Sequence, residues 1–256
     1  YNFTEDTLIE NKVFAFNTNE AATFTSENNN VITMNDVVFS GRVQYIAMGE
    51  YREKGSYIDF TNVMTNVRAE NMVVDHPGIE NVKAIDYMAP LVFLRGVSTL
   101  ENCSFTGTTT TAGPLTDNYG DIREVLPYDC GVPNNCEAIF NNCTVDRLYA
   151  WSHSMITLTN STLKYIRCST HHNSYAPAHL TIGEGTVVDE IVVSSSGSAK
   201  FTTVNGKKTL TAAPWSPSII IKAGARVNRL DYNGRTAEDV IIEDGAIIGE
   251  IVNLAE

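Results

Sequence analysis

The sequence predicts an all-β fold, a single-domain right-handed parallel β-helix of about nine or ten coils with loop insertions. Three observations carry this: a motif that recurs eight times, a two-residue apolar period inside each copy, and an asparagine or glycine at one bend of the repeat. The copies are Ile32–Phe39, Ile58–Thr65, Ser98–Phe105, Ala138–Val145, Ile156–Leu163, Leu180–Val187, Ile219–Arg226 and Val240–Ile247. Each reads apolar, any, apolar, any, a small polar residue, then Cys, Ser, Gly or Val, then Thr, Ser or Ala.

Alternation at the first and third positions is the signature of a short strand with one face buried. A second apolar group follows the bend in several copies (Leu148; Ile166 and Cys168; Ile191 and Val193; Leu230 and Tyr232; Ile251), which makes each unit a bent ribbon. The copies start 26, 40, 40, 18, 24, 39 and 21 residues apart, so the long intervals are coils with insertions or pairs of coils with one degenerate member. One unit cannot bury its own apolar side, whereas stacking coils at roughly 4.8 Å makes a continuous core.

Asn62, Asn102, Asn142 and Asn160 are expected to form a ladder at the bend, because asparagine tolerates left-handed backbone angles and its amide bonds to its equivalent one coil away. Gly185, Gly224 and Gly245 take over one position later. Asn102, Asn142 and Asn160 also match the glycosylation acceptor pattern, but their place in the repeat already accounts for them. Ile242 and Ile248 fit a six-residue spacing suited to a left-handed helix, and Asp146 and Lys164 break it in earlier coils. That favours the right-handed form.

The domain is expected to span residues 1–256, with a capping segment at 1–30, coils over 31–254, and insertions at 106–137 and 194–218. Residues 47–57 form a third, charged loop. Cys103, Cys143 and Cys168 fall on repeat positions and read as core. Cys130 and Cys136 lie in the first insertion, where a small disulfide loop and two free thiols stay open as alternatives.

With 18 basic against 30 acidic side chains the chain of 256 residues carries a net charge of -12. Nucleic acid and anionic membrane are therefore poor partners. No apolar run reaches the length of a bilayer span, and the opening Tyr-Asn-Phe-Thr is no cleavable leader. A start without Met reads as a processed secreted protein or a trimmed chain.

At its Asn-Cys-Ser-Phe and Asn-Cys-Thr-Val rungs the chain resembles the secreted right-handed β-helix proteins of Gram-negative gut bacteria, within the pectate-lyase-like superfamily. The resemblance implies an extracellular or cell-surface location and a polysaccharide partner. It also implies a lyase-like chemistry using Lys and Arg on one helix face, in some members with calcium. No extended catalytic motif matches residue by residue, so activity stays open.

A functional face is expected in residues 147–172, where basic and aromatic residues concentrate in an otherwise acidic chain. The 18-residue interval from Ala138 to Ile156 places Arg147 beside Tyr165, Tyr149 beside Arg167 and His153 beside His171. Trp151, Lys164 and His172 lie nearby. Rings stack on sugar faces, and Arg pairs with carboxylate or sulfate. As a lyase, Lys164, His153 or His171 would take the proton beside a uronate carboxylate, with Arg147 or Arg167 stabilising the charge. The catalytic candidates are thus Lys164, Arg167, His153 and His171. The substrate-binding candidates are Arg147, Tyr149, Trp151, Tyr165 and His172. No metal site is expected, although calcium stays open because the 106–137 insertion holds Asp117, Asp121, Glu124 and Asp129. The competing expectation is a non-enzymatic surface scaffold or adhesin, in which the same residues are a solvent-facing ladder.

Overall fold

Every coil contributes one short strand to a single parallel sheet of nine: Thr7–Glu10, Val31–Asn35, Thr61–Thr65, Val97–Glu101, Glu137–Asn141, Met155–Thr159, His179–Ile182, Ile219–Ile221 and Val240–Ile242. The structure is a computed structural model. It describes residues 1–26, 30–49, 60–75, 88–112, 115–116, 122–123, 126–151, 153–168, 177–193, 200–204, 207–211 and 218–255. Among them the one helical element is a short 3-10 turn, Ala237–Asp239.

Alternation explains the register. Ile9, Met34, Met64, Leu100, Phe140, Leu158, Ile182, Ile221 and Ile242 pair in succession and form one inward column. Nearly all are fully buried, and burying a side chain of this size contributes about 1.5–3 kcal/mol. A second column runs Ile32, Asn62, Ser98, Ala138, Ile156, Leu180, Ile219 and Val240. Its two polar members bond to each other, Asn62 Nδ2 donating to Ser98 Oγ at 3.1 Å.

After the bend the chain enters a larger parallel sheet of 16 strands that wraps the remaining sides. It turns a corner within single strands: Thr144–Ala150 pairs with Ser104–Thr106 at its start and with Leu126–Val132 at its end. Two antiparallel hairpins belong to the insertions, Leu115–Thr116 with Ile122–Arg123 and Lys200–Val204 with Lys207–Thr211.

The two intervals read as 40 residues are single coils, of 36 residues from Asn62 to Ser98 and 40 from Ser98 to Ala138, because Thr61–Thr65, Val97–Glu101 and Glu137–Asn141 are direct neighbours. The first insertion is shorter than 106–137, since Thr109–Thr110 and Leu126–Val132 still pair as parts of coils. Residues 1–26 already form a rung in register, with Thr7–Glu10 on Val31–Asn35 and Val13–Asn17 on Val38–Val43. Most of the 47–57 loop, and most of 194–218 outside its hairpin, lie outside the described residues.

One copy of the motif needs correction. The copy written from Ile58 is four residues early, because Asn62 pairs with Ile32 and Ser98 and is fully buried. The bend residue there is Asn66. The ladder is therefore Asn11, Asp36, Asn66, Asn102, Asn142 and Asn160, all with φ between 49° and 55°, followed by Gly185, Gly224 and Gly245. Asn142 Nδ2 donates to Asn102 Oδ1 at 2.6 Å, and Asn66 Nδ2 to Asp36 Oδ1 at 3.1 Å. The ladder is exposed rather than buried, so it satisfies backbone geometry and spares no desolvation. Gly185 follows from its neighbour: a Cβ there would lie 2.3 Å from Asn160 Oδ1. The glycine bends are one residue longer, which moves the next inward residue from the fifth place (Phe140 to Val145) to the sixth (Ile182 to Val188).

Just inside this bend lies a second ladder. The backbone N–H of Cys103 donates to Cys143 Sγ at 3.4 Å, that of Cys143 to Ser161 Oγ at 3.0 Å, and that of Ser161 to Thr186 Oγ1 at 3.4 Å. Ser161 Oγ in turn donates to the Thr159 carbonyl at 2.8 Å. Cys103, Cys143 and Cys168 are thus buried as expected, and Cys143 also serves as an acceptor at the corner. Contact with Cys143, followed by burial, pushes the Cys103 thiol far up, so it stays protonated and unreactive. Cys130 and Cys136 are both buried free thiols, which resolves the alternative against a disulfide. Burial pushes Cys136 up to about 11 and also raises Cys130 well above the ordinary thiol range.

Candidate functional site

The 18-residue interval stacks residues as the sequence predicts. Arg147 pairs with Tyr165 and Tyr149 with Arg167, in adjacent strands Thr144–Ala150 and Thr162–Cys168. Arg147 and Lys164 are exposed, while Tyr165, Arg167 and Trp151 are partly buried. Tyr149 is only 1% exposed, so its ring is not available to stack on a ligand. His171 and His172 lie outside the described residues.

The rings gather because outward positions on this side are covered. Tyr149 meets Trp151 edge to face with centroids 4.4 Å apart, and Tyr128 at 5.3 Å. Trp151 continues to Phe93 at 5.8 Å, and Phe93 to Tyr45 at 5.2 Å. The result is an aromatic strip across several coils. Gly131 makes room for it, since a Cβ there would fall 2.6 Å from Trp151 Cζ3 and 2.9 Å from Pro90 Cγ. Arg95 lies over the Phe93 ring at 5.5 Å and donates to the Gly49 carbonyl at 3.0 Å. Gly131→Ala is expected to cost about 1–3 kcal/mol by overpacking. A change in tryptophan fluorescence checks it, and an unaltered spectrum would show that Trp151 does not lie over Gly131.

Beside the strip is a charged knot. Asp129 is buried, with Oδ1 accepting from the N–H of Thr108 at 3.1 Å and from its hydroxyl at 2.6 Å. Its Oδ2 accepts from the N–H of Arg147 at 2.8 Å. Burial nevertheless raises its carboxyl above the ordinary range. Asp146 accepts from the N–H of Gly107 at 3.0 Å and pairs with Lys164 Nζ at 2.8 Å. The Asp146 hydrogen bond pushes the Lys164 amine up, which holds it as an ammonium. A proton-abstracting lysine needs the opposite shift, so this geometry suits Lys164 as a cation rather than a base.

His153 sits at the corner with φ of 60°, and its N–H donates to the Pro177 carbonyl at 3.0 Å. The charge of His153 acts on His179, whose imidazole is pushed down by burial first and by His153 second. The 18-residue spacing does not extend to this corner, because Met155 pairs with His179, 24 residues on. A depressed histidine binds fewer protons folded than unfolded. Stability should therefore be fully present above the unfolded value of about 6.5 and fall as pH drops below it. Chemical denaturation of His179→Gln should lose this component, and an unchanged pH dependence would remove the assignment.

Farther along the same outward column stand Glu190, Arg229 and Glu250. Arg229 donates to Glu190 and to Glu250, each at 3.0 Å. Being exposed, the pairs are worth little: Arg229→Ala should leave the urea midpoint nearly unchanged.

Sequence reasoning places Asp129 on the insertion as a possible calcium ligand and singles out none of Tyr128, Phe93 and Tyr45; Asp129 and Tyr128 belong to a coil, because Cys130 beside them sits in the column of Val92 and Leu148. Leu91, Val92 and Leu94 around Phe93 were a usable signal, being a buried apolar run at a coil's end. Among the described residues no three His, Cys, Asp or Glu side chains come together as a metal site, and no helix is long and apolar enough to cross a membrane. Compared with known proteins, the chain matches no family model, no curated protein and no solved structure.

Proposed function

We propose that the protein is an extracellular or cell-surface β-helix that recognises or processes a complex polysaccharide, on the face formed by Trp151, Tyr165, Arg147 and Arg167. The observation that carries this reading is the aromatic strip Tyr45, Phe93 and Trp151 running across coils, with the exposed cation Arg147 on the strand that leads into Trp151. A strip of rings along a solenoid matches an extended chain of sugar units, and Arg offers bidentate bonds to carboxylate or sulfate. A lyase step would have His153 take the proton beside a uronate carboxylate while the linking oxygen leaves across the new double bond, with Arg167 and Arg147 countering the developing charge.

A second reading, a non-enzymatic scaffold or adhesin, is favoured by one observation: Lys164 with Asp146, and Arg229 with Glu190 and Glu250, neutralise one another along the rungs. A glycan array with wild type and Trp151→Ala/Arg167→Ala separates the two. Binding by wild type that falls at least about tenfold in the variant supports recognition. Equal binding by both removes this face, and absence of binding by wild type favours the scaffold. Ultraviolet absorbance of unsaturated products from uronate polymers then reports lyase activity.

A further inference from the structure

One methionine stands apart from the rest. Of the methionines whose side chains are described, Met34, Met48, Met64 and Met72 lie inside the core, whereas Met155 is 51% exposed. All five cysteines are buried, so among the described residues Met155 is the sulfur most open to solvent. The two histidines among the described residues, His153 and His179, lie on either side of it.

Local structure fixes this grouping. Met155 pairs with His179 on the next strand, and neighbouring strands run about 4.8 Å apart. Ser154 is fully buried, its hydroxyl donating to the Trp151 carbonyl at 2.6 Å, which leaves its neighbours His153 and Met155 on the outer side. The His153 N–H donates to the Pro177 carbonyl at 3.0 Å and the His179 N–H to the Ser154 carbonyl at 2.8 Å, so 153–155 runs alongside 177–179. His153 is thus diagonal to His179 and two residues from Met155. Burial first, and the charge of His153 second, push the His179 imidazole down, which keeps it in the neutral form that ligates metals. Glu137, on the other side of Met155 in the same column, adds negative charge beside the group.

The donor set selects the ion. Calcium takes six or more oxygens, and zinc is held by thiolate, imidazole or carboxylate. A thioether beside imidazoles is a soft, uncharged set, which favours Cu(I). We propose that His153, Met155 and His179 form a binding site for a soft monovalent cation, Cu(I), held by one thioether and two imidazoles. The site does not rest on the polysaccharide reading, because a bound ion occupies the imidazole that a lyase step needs at His153.

The probe is Ag(I), which shares the softness of Cu(I) and keeps its oxidation state. Titrated in chloride-free buffer into the intact protein labelled with ¹³C at its methionine methyls, it should shift one of the six methyl resonances and saturate at one equivalent. Met155→Leu should lack that resonance. The imidazole signals of His153 and His179 should move together with it in wild type, and in Met155→Leu should need about tenfold more silver or beyond. His153→Gln and His179→Gln should each weaken the Met155 shift by a similar factor. Cu(I) kept reduced by ascorbate should displace the silver, and equimolar Zn(II) should not. A Met155 methyl that stays in place, imidazole signals that respond equally in wild type and Met155→Leu, or displacement by Zn(II) overturns the proposal. If either histidine variant fails to fold, the comparison of wild type with Met155→Leu, altered at an exposed position, still decides.

Discussion

Phe140→Ala is expected to lower the unfolding free energy by about 3–5 kcal/mol, the largest effect of any single substitution considered for this chain. The ring is fully buried in the inward column, between Leu100 and Leu158 on the neighbouring coils. Truncation removes its burial and leaves a cavity that the coils on either side cannot close, because strand pairing fixes their separation. Ile242→Ala, in the same column but 38% exposed, should cost about 1 kcal/mol or less. Urea denaturation of both variants checks the contrast. Equal losses would show that the two positions do not differ in packing.

Asp129→Ala should cost about 1–3 kcal/mol, since it removes the buried acceptor of the N–H and hydroxyl of Thr108 and of the N–H of Arg147, all in part-buried bonds. Those three bonds fasten the chain entering the first insertion to the chain leaving it and to the next coil. Asp129→Asn keeps one acceptor oxygen, enough for Thr108, but sets its NH2 against the N–H of Arg147, and should cost less than the alanine variant. The pH dependence carries a further signature. Burial raises the Asp129 carboxyl in the folded state, so the protonated form is favoured on folding. That contribution is fully present below the unfolded value of about 4 and is lost as pH rises through the folded one. The Asn variant should flatten this fall. If the Ala variant melts with wild type, Asp129 does not fasten the insertion.

Much of the site was legible where the coil is shortest. Between Ala138 and Ile156 nothing is inserted, so equal offsets stack, and the pairings Arg147 with Tyr165 and Tyr149 with Arg167 follow from counting alone. The same counting misplaces His153, because the next corner is lengthened and its strand pairs at a different interval. Tyr149 illustrates another limit. Its alternation marks it as outward, but outward does not mean exposed where Tyr128 and Trp151 cover it. Asn62 shows the converse: composition marks it as a bend residue, and strand pairing places it in the core beside Ser98.

The sequence by itself determined the stacked-coil architecture, the inward columns, the buried corner cysteines and the bend asparagines. These depend on period and on local backbone preference, which any stretch of chain carries within itself. Only the tertiary structure decided which residues on the outer face are covered, which carboxylate is buried, and which cations are already paired. Those properties depend on how far each insertion displaces the register and on what returns to pack against the coil, and neither is encoded in the residues of one repeat.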